Sequence, residues 1–348
     1  MKERNLYLDF IKFPMALLVI YAHVPGRPEL QLEPESLYYS LLTFICYIPK
    51  YLTGIAMRSF FVISGYLFYK NFIKWDFNLF WDKFKKRCRI LVPSYFLWIT
   101  LYVILICVIY HKNPFDYFSE KGMMNVYLGF DNIKTMMTKC YPLLYPMWYV
   151  RDLLVAFAIS PVLYGLLKKS PLGILLIYIL YWLIPIPTEA FFFVGVGIFL
   201  ALYGNQINRN SLLFSRVNII ISVLAVVLVF FCNLIKCDWI VWHLIDKCGF
   251  FSNIITMWAF YLISRNLDNS KFAKFGRCSY FIFAFHPFLI ELFLKVHYTR
   301  LSLMSVDLTI PYAFLYLLFP IFIYCIGYYI DKTIKKYSPI LTRLLCAG

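Results

Sequence analysis

Residues 6–26 read LYLDFIKFPMALLVIYAHVPG, an apolar run that Asp9, Lys12 and His23 interrupt. About 20 apolar residues cross the ~30 Å hydrocarbon core of a membrane as one helix. At ~100° and ~1.5 Å per residue, Lys12 and His23 lie roughly 20° apart in angle and about 16 Å apart along the axis, with Asp9 about 60° from Lys12. Each charge in hydrocarbon costs at least ~2.5 kcal/mol, so three polar groups on one helix face indicate a lined pathway or site.

The whole chain has the composition of an integral membrane protein. Of its 348 residues 62% are hydrophobic and 21% aromatic, with a mean hydropathy of +0.70, against ~45–50% apolar residues in soluble domains. The sequence contains no repeat and no low-complexity tract, so we expect one bundle. Ten apolar segments predict that this bundle is all-α, with about ten transmembrane helices. The ten apolar segments are 7–24, 39–69, 90–110, 147–165, 172–186, 189–204, 216–235, 249–264, 279–296 and 311–330.

The distribution of basic residues predicts the orientation. Lys and Arg are more than twice as frequent on the side of the N-terminus as on the opposite side, and the basic side of a membrane protein is the cytoplasmic one. We therefore expect a multi-pass protein of the inner (plasma) membrane with both termini in the cytoplasm. The net charge of +16 is then a topological signal and does not indicate a nucleic-acid partner. Asp9 and Lys12 also argue against a cleaved signal peptide.

The ten cysteines form no CxxC pair and have no metal-ligand spacing with the five histidines, so no metal site is predicted. Cys237 and Cys248 share a predicted outward loop, where either a disulfide or two free thiols would fit. The outward connection 111–146 mixes both signs of charge and fits an ordered cap or a solvated loop equally well.

The second segment, 39–69, is too long for one simple crossing. Pro49, Lys50 and Gly54 break it, which predicts a bent or partly re-entrant helix with Arg58 roughly halfway across. Ser64 precedes a glycine in ISGY, a pattern more typical of a close helix contact than of a nucleophile.

Several polar residues are candidates for chemistry. His23 can act as a general base near neutral pH, or it can be an interfacial histidine. Asp9 and Lys12 can line the same site or reach the cytoplasmic surface. Arg151 and Asp152 enter the fourth segment at the predicted depth of His23, where they can position an acceptor or neutralise each other. His286, about 10 Å into the ninth segment, can be a site residue or a satisfied core histidine.

The predicted inward loop DKFKKRCRILVPSY, residues 82–95, carries five basic residues within seven positions. Arg87 and Arg89, next to the membrane, are the candidates for binding the phosphates of a cytosolic cofactor. The same cluster fits a topological anchor or a contact with anionic lipid.

Taken together, five motifs resemble acyltransferase family 3, the ten-helix membrane O-acyltransferases of surface polysaccharides. They are LDFIKFPMALLVIYAH (8–23), RSFFVISGYLFY (58–69), KRCRILVPSYFLW (86–98), MWYVRDLLV (147–155) and FGRCSYFIFAFHPFL (275–289). The resemblance implies one transmembrane acyltransferase domain over residues 1–348. It also implies transfer of an acyl group, most often acetyl, from cytosolic acyl-CoA to a sugar hydroxyl at the outer face.

The resemblance further implies roles for individual residues. His23 would be the catalytic base, with Asp9 in the same helix. Lys12 stands where the family usually has Arg, and Phe13 replaces a frequent glycine, so the donor contact and local packing differ here. The acyl-CoA contacts would be Lys12, Arg58, Arg87 and Arg89, and the acceptor or pocket residues Arg151, Asp152 and His286.

Two other functions fit intramembrane charges and a broken helix. The first is a transporter or flippase of a lipid-linked glycan. Such a protein would carry paired broken helices in two matching halves, which the sequence does not show. The second is an inert scaffold of a polysaccharide-synthesis complex.

Overall fold

The computed structural model describes residues 6–24, 56–72, 74–130, 141–183, 189–207, 273–301 and 309–346. Within these ranges the regular structure is helical and contains no strand, in agreement with the predicted all-α class. The helices are α1 (Leu6–His23), α2 (56–69), α3 (Phe77–Ile109), α4 (Pro114–Lys121), α5 (Met123–Leu128), α6 (Trp148–Lys169), α7 (Gly173–Leu183), α8 (Glu189–Ile207), α9 (Ala273–Gly276), α10 (Ser279–Leu301), α11 (Thr309–Tyr337) and α12 (Pro339–Leu345).

Three of these helical stretches are long and apolar enough to cross a membrane: Phe77–Ile109, Tyr145–Lys169 and Tyr316–Tyr337. Two shorter apolar helices are Glu189–Gly204 and Ser279–Phe293. The predicted segments 216–235 and 249–264, the loop of Cys237 and Cys248, and the predicted break at 49–54 lie outside the described residues. The count of ten spans and the orientation therefore remain predictions.

Helix α1 lies against the C-terminal part of the chain. It packs on α9, α10 and α11, and α10 in turn contacts α3. Ala16 and Ile20 of α1 are buried with Ile282 of α10 and Ile323 of α11 in one apolar cluster. This packing brings the first helix, which carries the candidate base, beside the helix that carries His286.

Glycines allow α2 and α8 to approach closely. A Cβ on Gly65 would lie 2.6 Å from the carbonyl oxygen of Val194, and a Cβ on Gly197 would overlap the carbonyl oxygen of Val62. Only hydrogen fits at either position, as in other close helix contacts within membranes. The predicted close contact at ISGY is thus confirmed.

The basic stretch 82–95 is helical, and its prediction as a loop was wrong. It lies inside α3, which starts at Phe77 after the N-cap Asp76; the Asp76 side chain accepts hydrogen bonds from the amides of Asn78 and Leu79. Lys83 donates to the carbonyl of Phe68 over 2.6 Å and lies over the ring of Phe72. This anchoring to α2 and the cap extend the helix ahead of its apolar part.

The predicted outward connection also contains ordered structure. Asn113 caps α4 and accepts a hydrogen bond from the amide of Phe115. Helix α5 follows at once, and Tyr95 of α3 donates to the carbonyl of Tyr127. The described part of 111–146 therefore contains two short helices that contact α3.

Candidate functional site

Two histidines from distant parts of the chain meet where α1 and α10 pack together. His286 Nε2 lies 3.3 Å from His23 Nδ1, and the ring centroids are 5.1 Å apart. His286 is fully buried, while His23 is half-buried. The sequence singled out each residue separately, and the structure brings them together.

Backbone carbonyls determine where the protons of this pair sit. His23 Nδ1 lies 2.8 Å from the carbonyl oxygen of Val19, and His286 Nδ1 lies 3.1 Å from that of Ile282. Because a carbonyl oxygen only accepts, both Nδ1 atoms carry hydrogen in the neutral rings. His286 Nε2 can then accept from His23 Nδ1, and the lone pair of the His23 ring is on Nε2.

Pro287 contributes to the placement of His286. It has no N–H to donate to the carbonyl of Phe283, one turn earlier. The His286 ring interacts with the carbonyls of both Ile282 and Phe283. The His286 side chain thus lies close to the carbonyl that Pro287 leaves without its backbone donor.

Aromatic residues before α6 cover the other side of His23. The ring centroids of Tyr145 and His23 are 5.1 Å apart, with the rings edge to face, and the ring centroids of Tyr141 and Tyr145 are 4.2 Å apart. Burial, and after it the hydrogen bond with Tyr145, raises the pKa of the Tyr141 phenol above its usual value. Tyr141 is thus linked to His23 through the ring of Tyr145.

Arg151 and Asp152 form an ion pair in the first turn of α6. Arg151 Nε donates to Asp152 Oδ1 over 2.8 Å, and the same guanidinium donates to the carbonyl of Leu128 at the end of α5. Asp152 also interacts electrostatically with Tyr141. The predicted mutual neutralisation is present, and the pair adjoins the aromatic residues around His23.

Arg58 links α2 to the start of α8. Its guanidinium lies 3.4 Å from Glu189 Oε1 and 5.7 Å from the ring centroid of Phe193. Tyr181 of α7 donates to the same carboxylate. Glu189 interacts electrostatically with Asp152 and Tyr141, so the Arg58–Glu189 pair lies within electrostatic range of Asp152.

Arg87 lies in the N-terminal part of α3, which starts at Phe77, and interacts with a residue of the protein interior. It is exposed, yet it interacts electrostatically with the phenol of Tyr149, which is buried and lies 3.3 Å from Ser64 Oγ. The ring centroids of Tyr149 and Phe283 are 5.5 Å apart, and those of Phe283 and His286 are 6.4 Å apart. Ring contacts thus run from Tyr149 through Phe283 to His286, and Arg87 lies within electrostatic range of Tyr149.

Arg89 does not share this position. A step of two residues along a helix turns by about 200° around its axis, so Arg87 and Arg89 lie on nearly opposite faces of α3. Arg89 is exposed. The structure therefore places on different faces of α3 two residues that the sequence grouped as candidate ligands of the phosphates of a cofactor.

Asp9 and Lys12 form a second polar position on α1. Lys12 Nζ lies 3.1 Å from Asp9 Oδ1, and Asp9 is only 3% exposed. Gly276 of α9 touches this turn so closely that a Cβ would overlap the carbonyl oxygen of Asp9. Fourteen residues, or about 21 Å of helix, separate Asp9 from His23, so the carboxylate does not contact the histidine.

Sequence reasoning missed four residues of this region: Tyr145, Tyr149, Glu189 and Gly276. Glu189 carried a usable signal, because it is a carboxylate at the first position of an apolar segment. Tyr145, Tyr149 and Gly276 belong to this region through contacts with residues of other segments, and such contacts are not visible in the sequence. No group of three or more potential metal ligands occurs within the ranges that the structure describes.

Comparison with known proteins gives two matches. The profile of a family described as an acyltransferase domain matches residues 5–329. The succinoglycan biosynthesis protein ExoH of Rhizobium meliloti (strain 1021) is 24% identical over 290 residues, which cover 79% of this chain and 75% of that protein. No solved structure matches.

Proposed function

The chain belongs to acyltransferase family 3, and from that premise we propose that it transfers an acyl group, acetyl in the first instance, from cytosolic acyl-CoA to a hydroxyl of a surface or exopolysaccharide sugar. The observation that carries the proposal is the His23–His286 pair, whose Nδ1 protons leave the His23 lone pair on Nε2. The name of the similar protein, succinoglycan biosynthesis protein, supports an exopolysaccharide acceptor.

In the proposed reaction His23 is the general base. Its Nε2 takes the proton of the sugar hydroxyl while the hydroxyl oxygen attacks the carbonyl carbon of the thioester. A C–O bond forms, the C–S bond breaks, and the proton then passes from His23 to the departing sulfur to give CoA thiol. General base catalysis of this kind contributes about 10²–10⁴ in rate.

His286 is the positioning residue in this scheme. By accepting from His23 Nδ1 it holds the ring and its tautomer, and the positive charge that forms on His23 is then shared with the Val19 carbonyl and His286. His286 is fully buried, so it acts through His23.

The donor would enter from the predicted cytosolic side. Arg87 is exposed there and interacts electrostatically with the buried phenol of Tyr149, a placement suited to a phosphate of CoA with the pantetheine arm directed inward. Lys12, held by Asp9, is the candidate for a second donor contact on α1. We assign Asp9 to positioning Lys12, and Arg89 to the membrane surface.

The acceptor would meet the polar cluster at the opposite end. Asp152, paired with Arg151, interacts electrostatically with Tyr141, whose ring contacts Tyr145, and sugars are bound by such combinations of charged groups and aromatic rings. Arg58 is assigned to this cluster through Glu189, where it stabilises the wall of the site.

The direct test is transfer by the purified protein reconstituted in vesicles. Radiolabelled acetyl-CoA is supplied with the polysaccharide of the host cell, and label in the polysaccharide is measured together with CoA thiol. We expect both products in equal amounts. Acetyl-CoA consumption without labelled glycan would overturn the choice of acceptor.

The same assay separates the competing functions. A transporter or flippase would move glycan across the vesicle membrane without consuming thioester. A scaffold would be inactive until the synthesis complex is added. Succinyl-CoA in parallel tests the acyl group, because exclusive use of that donor would replace acetyl in the proposal.

A further inference from the structure

A cleft beside the last turns of α6 lies away from the histidine pair. Its volume is about 600 Å³, and it is lined by Trp75, Pro161, Val162, Tyr164, Gly165, Lys168 and Lys169. Cavities of this size accommodate small organic ligands or part of a lipid. The proposed reaction uses none of these residues.

The walls and one end of the cleft differ in chemistry. Val162 is 70% exposed and Trp75 38%, so the walls present apolar and aromatic surface. Lys168 and Lys169 are exposed at one end, and Lys168 Nζ lies 5.7 Å from the ring centroid of Tyr164. Apolar walls that end in two ammonium groups match an amphiphile with an acyl chain and an anionic head.

The length of the exposed face of α6 fits a lipid chain. Val155, Ile159 and Val162 are exposed along one side of the helix, and Lys169 follows Val162 by seven residues, or two turns on the same side. Val155 and Lys169 are fourteen residues apart, about 21 Å along the axis. The exposed face is therefore longer than the ~15 Å depth of one leaflet, half of the ~30 Å hydrocarbon core.

Tyr164 provides an independent sign of a ligand. It lines the cleft and is 1% exposed, and its buried hydroxyl makes no hydrogen bond among the residues that the structure describes. A buried donor without an acceptor costs roughly 1–3 kcal/mol. An ester carbonyl or phosphate oxygen is an acceptor of the kind that would satisfy it.

From these features we propose that the cleft binds one anionic phospholipid, with an acyl chain along Val162 and Gly165 and the headgroup phosphate at Lys168 and Lys169. The site is independent of the acyl transfer reaction. By the predicted orientation the lipid would belong to the cytosolic leaflet, and its occupancy would tie α6 to the segment before α3 through Trp75.

Gly165 offers a sharp test because a Cβ there meets no atom within 4 Å, so Gly165→Leu extends into the cleft. Gly204 of α8 also has open space around it and gives the matched control Gly204→Leu. Lys168→Gln with Lys169→Gln removes the charge at the end of the cleft. The control for that pair is Lys332→Gln with Lys336→Gln, two exposed lysines of α11.

Native mass spectrometry of the detergent-purified protein measures retention of phosphatidylglycerol and phosphatidylcholine at equal concentration. We expect preferential retention of phosphatidylglycerol, lowered about tenfold in the double lysine variant, with both lipids lowered in Gly165→Leu and neither control changed. Equal retention of the two lipids by the wild-type protein would overturn the proposal, as would unchanged binding in the lysine variant. Displacement by glycerol phosphate or CoA as effective as by lipid would show a soluble phosphate ligand instead.

Discussion

His23 and His286 are 263 positions apart in the chain, and the His286 Nε2 atom lies 3.3 Å from His23 Nδ1. Both Nδ1 atoms also approach a backbone carbonyl of their own helix, four residues earlier. The packing of α1 against α10 thus brings two histidines of separate helices together as a pair with defined proton positions.

Replacing His286 should lower turnover without weakening donor binding. His286→Leu removes the acceptor for His23 Nδ1, and the loss of one hydrogen bond of about 1–1.5 kcal/mol corresponds to roughly a tenfold decrease in kcat. His286→Gln can place an amide oxygen near the former Nε2 and should recover part of kcat. The measurement is kcat and KM for acyl-CoA in both variants. Equal kcat in the two, or a rise in KM alone, would contradict a positioning role.

Replacing His23 should remove transfer itself. With His23→Ala the sugar hydroxyl loses its proposed base, and we expect kcat to fall by about 10²–10⁴ while the acyl-CoA dissociation constant stays within a few fold. Transfer rate and calorimetric binding are measured on the same preparation. His111→Asn is the control, since His111 is exposed and has a φ of 53°, which Asn tolerates. Wild-type activity in His23→Ala would disprove the assignment.

The sequence allowed both histidines to be identified, because polar groups within apolar segments are costly and therefore informative. Their pairing could not be predicted from it. Periodicity gives the face of a helix on which a residue lies, but not which of several other helices packs there. The same reason explains why Tyr145, which contacts His23 from the turn before α6, was not recognised.

The basic run of α3 shows a different kind of error. Five cations within seven residues remove the apolar periodicity by which a membrane helix is recognised, so the run was predicted as a loop. The N-cap Asp76 and the contacts of Lys83 with α2 show that tertiary packing extends the helix. Once the run is helical, Arg87 and Arg89 point to different sides, a distinction that a loop prediction cannot make.

Gly276 should be essential for the position of Asp9 and Lys12. In Gly276→Ala the new Cβ would overlap the Asp9 carbonyl, so α9 must move away from α1. Overpacking of this kind costs about 1–3 kcal/mol or more. We expect a lower Tm in detergent and weaker acyl-CoA binding. Gly204→Ala, where space is open, should leave both unchanged; an unchanged Tm in Gly276→Ala would show that α1 and α9 are not held this closely.

Arg87 and Arg89 provide a matched pair for locating the donor. Arg87 interacts with buried Tyr149, which is joined through Phe283 to His286, whereas Arg89 lies on the opposite face of α3. A hydrogen bond to a charged phosphate is worth about 1.5–3 kcal/mol, so Arg87→Gln should raise KM for acyl-CoA about tenfold or more with kcat within twofold. Arg89→Gln removes the same charge from the same helix and should change KM less than threefold. Both KM values are measured at two salt concentrations, because a general electrostatic attraction would weaken with salt in both variants. An equal rise in KM for the two would place the donor on the basic surface as a whole, and no rise for Arg87→Gln would exclude the proposed entry beside Tyr149.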